Sequence, residues 1–368
     1  MRRNPRALAS ATSSHDNGFN LVRLVAATMV VVYHAWQLNR AAPNGKDPLT
    51  ALLQPVTDLG FIAVGVFFLI SGIFVSHSWL RDPHLLRFAV RRVTRIVPGL
   101  LVCLLLSTLL AVTFFSPQGW RGMLQGQPWH YIASNASLHW LHYIIPPDEL
   151  NIPGVLDGQP MNGSLWTLYW EARMYVVLAL LGLAAVAPMR MWLMVTSVLL
   201  ILAAHLFPSV LGGYVWETAF WTLFLGGVLL QTLARHLHFG LGLVLATGIL
   251  LALNWTRNVA MTPSGFSLVG VMLFSCAVAL WLGSARLPRF LRHFQQHDYS
   301  YGIYIYHWPV MMMVAYSMPG AGPLRVLAAT LVVTFAFAVF SWHCIESPAM
   351  KLARRMPRRH PAPLRAAA

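Results

Sequence analysis

From Val97 to Ser116 the chain reads VPGLLVCLLLSTLLAVTFFS, without one formally charged side chain. Lipid offers no partner for a bare peptide group, so a run of this length closes its own hydrogen bonds as a helix. About 20 apolar residues suffice to cross ~30 Å of hydrocarbon. The same reading applies to ten stretches: 19–39, 57–80, 97–116, 163–187, 190–208, 212–234, 237–256, 265–284, 299–318 and 321–345. Pro208 and the Gly212-Gly213 pair leave a very short link between the fifth and sixth. The chain is 57% hydrophobic and 10% charged, far from the roughly 25% charged residues of soluble domains. The predicted fold class is therefore all-α, a polytopic integral membrane bundle of about ten transmembrane helices. Residues 1–18 are expected as an N-terminal segment, 19–348 as the membrane domain and 349–368 as a basic tail.

The distribution of positive charge orients that bundle. Of the 26 Lys and Arg residues, 19 fall on one side: the N-terminus, the loop from Arg81 to Arg95, Arg190, Arg235, the Arg286–Arg292 loop and the tail. Five fall on the other (Arg40, Lys46, Arg121, Arg257, Arg325), and Arg23 and Arg173 lie within spans. The excess marks the cytoplasmic side and puts both termini there. A formal net charge of +15 would otherwise suggest nucleic acid, but no basic segment carries the aromatic pattern of a DNA or RNA reader, so none is expected as partner. Cys103, Cys276 and Cys344 all fall in apolar runs and are expected to be buried, with no metal spacing. The first apolar run is read as a retained helix rather than a cleaved leader. The long outer loop, 117–162, carries Trp120, Trp129, Tyr131, Trp140 and Tyr143, either an interfacial belt or a lid with faces on which sugars stack. In it His139 and His142 lack a third ligand, so no metal site is expected.

Ionisable residues at membrane depth are costly and face a cavity or a partner. Arg23 and His34 stand eleven positions apart on the first span. At about 100° and 1.5 Å per residue they share one helix face, roughly 16 Å apart along the axis. One stripe thus offers a fixed cation near the inner surface and a titratable base deep inside, a geometry suited to a ligand with an anionic head and a reactive tail. Ser71-Gly72, midway along the second span, permits close helix packing. Arg92 and Arg95 share a helical face, with Arg91 adjacent; their forked donors suit phosphate. Glu171 in the fourth span and His307 in the ninth stand alone among apolar neighbours, and Glu346 at the inner end of the tenth is expected to pair with inner arginines.

Taken in order, R-x10-H, FFxxSG, RRxxRIxP, SLWxLxxE, SYxIYxxHxP and a terminal E-x-P cover residues 19–348. This set resembles the acyltransferase-3 family, membrane O-acyltransferases that modify bacterial glycans. The resemblance implies acetyl-CoA as donor substrate with no permanently bound cofactor, and a glycan or lipid-linked oligosaccharide as acceptor. It also implies a multi-pass place in the bacterial inner membrane. His34 and Glu171 are the expected catalytic residues; Arg23, Arg91, Arg92, Arg95, Ser71 and His307 the expected substrate-binding ones. In this expectation the arginines hold the donor phosphates, His34 acts as base and Glu171 orients a neighbour, His34 itself being one choice. Gly65 and Ala172 stand where many members carry acids, which predicts a drier or differently paired pocket. The hydrolase-like domain fused to some members is not expected after the tenth span, so any second transfer step is expected to fall to separate polysaccharide-assembly proteins. The rival classes are a proton-coupled carrier, for which the repeated halves typical of carriers are not evident, and a glycan-flipping scaffold that would tolerate loss of His34.

Overall fold

The computed structural model describes residues 7–355 apart from 15, 42–43, 55, 138–150, 208, 210–214 and 259–264; the side chains of 215, 254–258 and 265–267 also lie outside the description. His139, Trp140, His142, Tyr143, Pro208, Gly212, Gly213, the first six residues and the tail beyond Arg355 therefore fall outside the described residues.

Among the described residues the fold is all-helical, with no β-strand. Ten helices of at least 18 residues follow one another: α1 (Phe19–Gln37), α2 (Leu59–Arg81), α3 (Leu85–Phe115), α4 (Trp166–Leu183), α5 (Met189–Leu206), α6 (Val215–Thr232), α7 (Leu241–Asn258), α8 (Gly265–Ser284), α9 (Ser300–Ser317) and α10 (Pro323–Ser341). Five helical stretches are long and apolar enough to cross a membrane by themselves, six if the stretch ending at Ser284 is joined to Arg289–Gln296 across a 100° bend.

α2 is strongly apolar and largely enclosed, and it packs chiefly against α6. A Cβ at Gly72 would lie 2.9 Å from the Phe224 carbonyl carbon and 3.2 Å from Gly227 Cα, so the small Ser71-Gly72 pair sets that close approach. α9, buried over nearly its whole length, packs against α10 and α1. The segment before α4 is moored onto α9 by Asn162 Nδ2 donating to Ile305 O (2.8 Å), the Trp308 indole donating to Pro160 O (3.1 Å), the Tyr304 hydroxyl donating to Ser164 O (2.9 Å) and the Tyr316 hydroxyl donating to Leu156 O (2.7 Å).

Three expectations change. The stretch from Arg81 to Arg95 is not a loop: a three-residue turn, 82–84, leads straight into α3, which runs 31 residues with Pro98 inside it. Asp82 makes this possible. It accepts Arg87 Nη2 at 2.6 Å and Arg91 Nη1 at 2.8 Å, pinning the first two turns of α3. Hydrogen bonds from Arg87, then Arg91, hold its carboxyl well below the usual carboxylate range. The chain also stays helical past α10. A five-residue π-helical turn, Trp342–Glu346, feeds α11 (Ser347–Arg354), so the first part of the basic tail is a helix laid on α3. Finally, Cys103 and Cys276 are buried but Cys344, on the π turn, is exposed, because the wider turn brings Trp342 and Glu346 inward instead.

Candidate active site

A cavity of about 510 Å³ opens between α1, α2, α3, α4 and α9, with α11 on its rim. On α2 the lining positions Val64, Phe67, Ser71, Phe74 recur at helical spacing; on α4 Thr167, Glu171 and Tyr175 do so. Arg23, Arg91, Arg92 and Arg95 all line it. Gly65 and Ala172 do not. Gly65 faces Met272 and Leu223 on α8 and α6, so an acid there would not enter this cavity, and the expectation of a drier pocket is corrected: both departures fall off the lining face.

The polar residues form three groups. At mid-cavity Glu171 accepts the Ser71 hydroxyl (3.3 Å) and the Tyr175 hydroxyl, while Ser71 and Tyr175 lie 3.3 Å apart. Arg92 faces the Tyr175 ring at 5.5 Å and belongs to no ion pair among the described residues; its Nε has no hydrogen-bond partner there. In the second group, Asp298 Oδ2 accepts Arg23 Nη1 at 2.7 Å and Arg95 Nη2 at 2.6 Å. Arg95 also meets Glu346 at 3.3 Å, as the sequence led one to expect, and Glu346 accepts Ser341 Oγ at 2.9 Å. Burial works to raise the Asp298 carboxyl, but Arg23, Arg95 and the Ser300 hydroxyl outweigh it and keep the group below the usual carboxylate range.

The third group lies beyond the cavity. His34 Nδ1 is 2.8 Å from His307 Nε2, with the two rings nearly parallel. His307 is fully buried, and its Nδ1 lies 2.7 Å from the Tyr304 carbonyl oxygen. A carbonyl only accepts, so His307 Nδ1 carries the proton and Nε2 is left as an acceptor. His34 Nδ1–H then donates to it, and His34 Nε2 is left with a lone pair. This is the chain of a positioned base: a backbone carbonyl fixes one imidazole, which fixes the next. Trp308 edges the His34 ring at 4.8 Å. Neither histidine lines the cavity; Tyr304 does, its ring 5.9 Å from that of His307 and 5.9 Å from that of Phe67.

The structure thus brings Ser71, Glu171, Arg23, Arg91, Arg92 and Arg95 around one space and sets His34 with His307 beside it. Glu171 is partnered by Ser71 and Tyr175, not by His34, whose orienting neighbour is His307. Reasoning from sequence missed Asp298, Tyr175 and Tyr304. Asp298 had a visible signal, an acid two residues before the SYxIYxxH run, and the two tyrosines lie at helical spacing from Glu171 and His307.

Comparison with known proteins identifies the family. A family model described as an acyltransferase domain matches residues 16–343. Nodulation protein 10 of Rhizobium leguminosarum bv. viciae is 32% identical across 93% of this chain and 95% of its own length. An O-acetyl transferase of Shigella phage Sf6 is 27% identical across 90% and 95%. No solved structure matches. By the extent of these matches the chain belongs to the acyltransferase-3 family and is a membrane-embedded O-acyltransferase.

Proposed function

We propose that this protein moves an acetyl group from acetyl-CoA, entering from the cytoplasm, to a hydroxyl of a cell-surface or exopolysaccharide glycan or its lipid-linked precursor. The observation that carries this reading is the Tyr304–His307–His34 chain beside an arginine-lined cavity. The sulfur-linked acyl end of the donor passes the Phe67–Tyr304 contact to reach His34. His34 Nε2 takes the proton of the acceptor hydroxyl as that oxygen attacks the thioester carbonyl. The C–S bond breaks, and the departing thiolate recovers the proton from His34. Base catalysis of this kind contributes roughly 10²–10⁴-fold. His307 holds the tautomer. Glu171, Ser71 and Tyr175 form a polar belt around the donor's arm, with Arg92 the cation turned to it. Asp298 already holds Arg23 and Arg95, which therefore shape the cavity and supply positive field more than a free clamp.

In this reading all ten long helices cross the bacterial inner membrane, both termini are cytoplasmic, and polysaccharide-assembly proteins supply the acceptor. The printed activity of the phage relative supports the acetyl group. The deciding experiment compares O-acetylation of purified glycan by NMR between a strain carrying the gene and one lacking it, together with acetyl transfer by purified protein. Uptake or flipping of glycan without any transfer would favour the carrier or scaffold instead.

A further inference from the structure

Six cations line the cavity, and they are not equivalent. Arg23 and Arg95 share Asp298, Arg95 also holds Glu346, and Arg91 is held by Asp82. The remaining three, Arg92, Lys351 and Arg354, enter no ion pair among the described residues. Two of these three sit on α11. The π-helical turn before it shifts the helix phase, a device that recurs at functional sites. Its result here is that Ser347, Met350, Lys351 and Arg354 all face the cavity, the i, i+3, i+4, i+7 stripe of one helical face. Leu352, off that stripe, is 68% exposed. Glu346, in the same turn, is tied to Arg95 and Ser341, so the start of α11 is anchored to α3 and α10. Lys351 and Arg354 are exposed while Arg92 lies deeper, which puts the pair at the open end.

We propose that Lys351 and Arg354 are the mouth of the donor site and hold the phosphates at the nucleotide end of acyl-CoA. The proposal rests on the donor reading given above. A donor whose acyl end must travel inward to His34 enters tail first, so its nucleotide end stays at the rim. There it meets two cations whose charge no carboxylate has already met. Paired arginines would have to release a buried carboxylate to bind phosphate, a cost these two residues do not carry. A lipid headgroup offers the same phosphate chemistry to two exposed cations, and the test separates the two sources.

The full-length protein, wild type and K351Q/R354Q, is placed in nanodiscs of neutral and of anionic lipid. It is then titrated calorimetrically with CoA and with 4′-phosphopantetheine, which lacks the nucleotide. Wild type should bind CoA more tightly than phosphopantetheine in both lipids. The double variant should lose roughly tenfold in CoA affinity, as expected for two solvent-facing charge contacts. Its phosphopantetheine affinity should stay within about twofold, which also shows that the variant is folded. Equal loss of both ligands, an unchanged preference for CoA, or a variant defect seen only in anionic lipid would each overturn the proposal. Wild type that binds both ligands equally also sinks it while leaving the donor reading intact; wild type that binds neither removes both.

Discussion

If His307 is a positioning residue rather than the base, its replacement should slow chemistry without touching donor binding. His307→Phe keeps a ring in a fully buried site but deletes the Nε2 acceptor 2.8 Å from His34. The lost hydrogen bond by itself is worth about 0.5–1.5 kcal/mol. The larger effect is that His34 Nδ1–H no longer fixes which nitrogen is free; loss of the partner that orients a functional imidazole typically costs about 10–100-fold. Because His307 lies outside the cavity lining, KM for acetyl-CoA should stay near wild type while kcat falls by that factor. His34→Gln should lose activity altogether, since Gln forms hydrogen bonds but does not take up and release a proton. The double variant should be no slower than His34→Gln, because two members of one chain are not additive. The assay is transfer of labelled acetyl from acetyl-CoA by protein shown to elute as a single species. A His307→Phe enzyme at wild-type rate refutes the chain. A His34→Gln enzyme at near wild-type rate, beside a folded but dead His307 variant, would move the base to α9, even though both nitrogens of His307 are already engaged.

Arg92→Ala should raise KM for acyl-CoA with little change in kcat, by the ~1.5–3 kcal/mol of a charged hydrogen bond, and Arg92→Lys should restore it only in part; a depressed kcat at wild-type KM would contradict this. Asp298→Asn should lower the unfolding midpoint in detergent, since it leaves two arginines beside a carboxylate site that is 7% exposed; breaking such a pair costs about 3 kcal/mol. The Asp298 carboxyl is held below its usual range, so its contribution is complete above about pH 4 and fades as pH falls through the folded value; the variant should lack that acid-side fall, and an unchanged fall would assign it elsewhere. With the exposed Cys344 replaced by Ser, Gln118→Cys should react with a membrane-impermeant maleimide on intact cells, outer membrane permeabilised if there is one, while His84→Cys should react only after lysis; the reverse pattern inverts the bundle.

Much of the site was legible because membrane depth makes charge expensive, so every ionisable residue in a span announces a partner. The partner's identity was not legible. R-x10-H correctly put Arg23 and His34 on one face, yet what each touches lies 275 and 273 residues away. Glu346 was readable because arginines at the same inner end are its only economical neighbours. The neighbour of Glu171 stayed open because helical spacing speaks for one helix at a time. Its true partners combine its own helix, at Tyr175, with Ser71 on α2. The continuity of α3 through Pro98 was hidden for a local reason: a proline usually ends the helix pattern before it, whereas here the helix already runs from Leu85.

The two long-range contacts of α1 also bear on topology. Arg23 meets Asp298 and, eleven residues on, His34 meets His307, nine residues beyond Asp298. The order is the same on both helices, so α1 and α9 run parallel. Parallel neighbours require an odd number of crossings between them. The seven long helices α2–α8 satisfy that requirement. Among the described residues three helices between α1 and α9 are apolar enough to cross alone, also an odd number, whereas adding only the bent pair would give four and return α9 antiparallel to α1. Hydropathy alone selects fewer helices than length does. The helices it passes over, such as α4 with Glu171 and Arg173, and α6 with Glu217, are those in which polar residues interrupt the apolar run. Function erodes the very signal by which a membrane span is recognised.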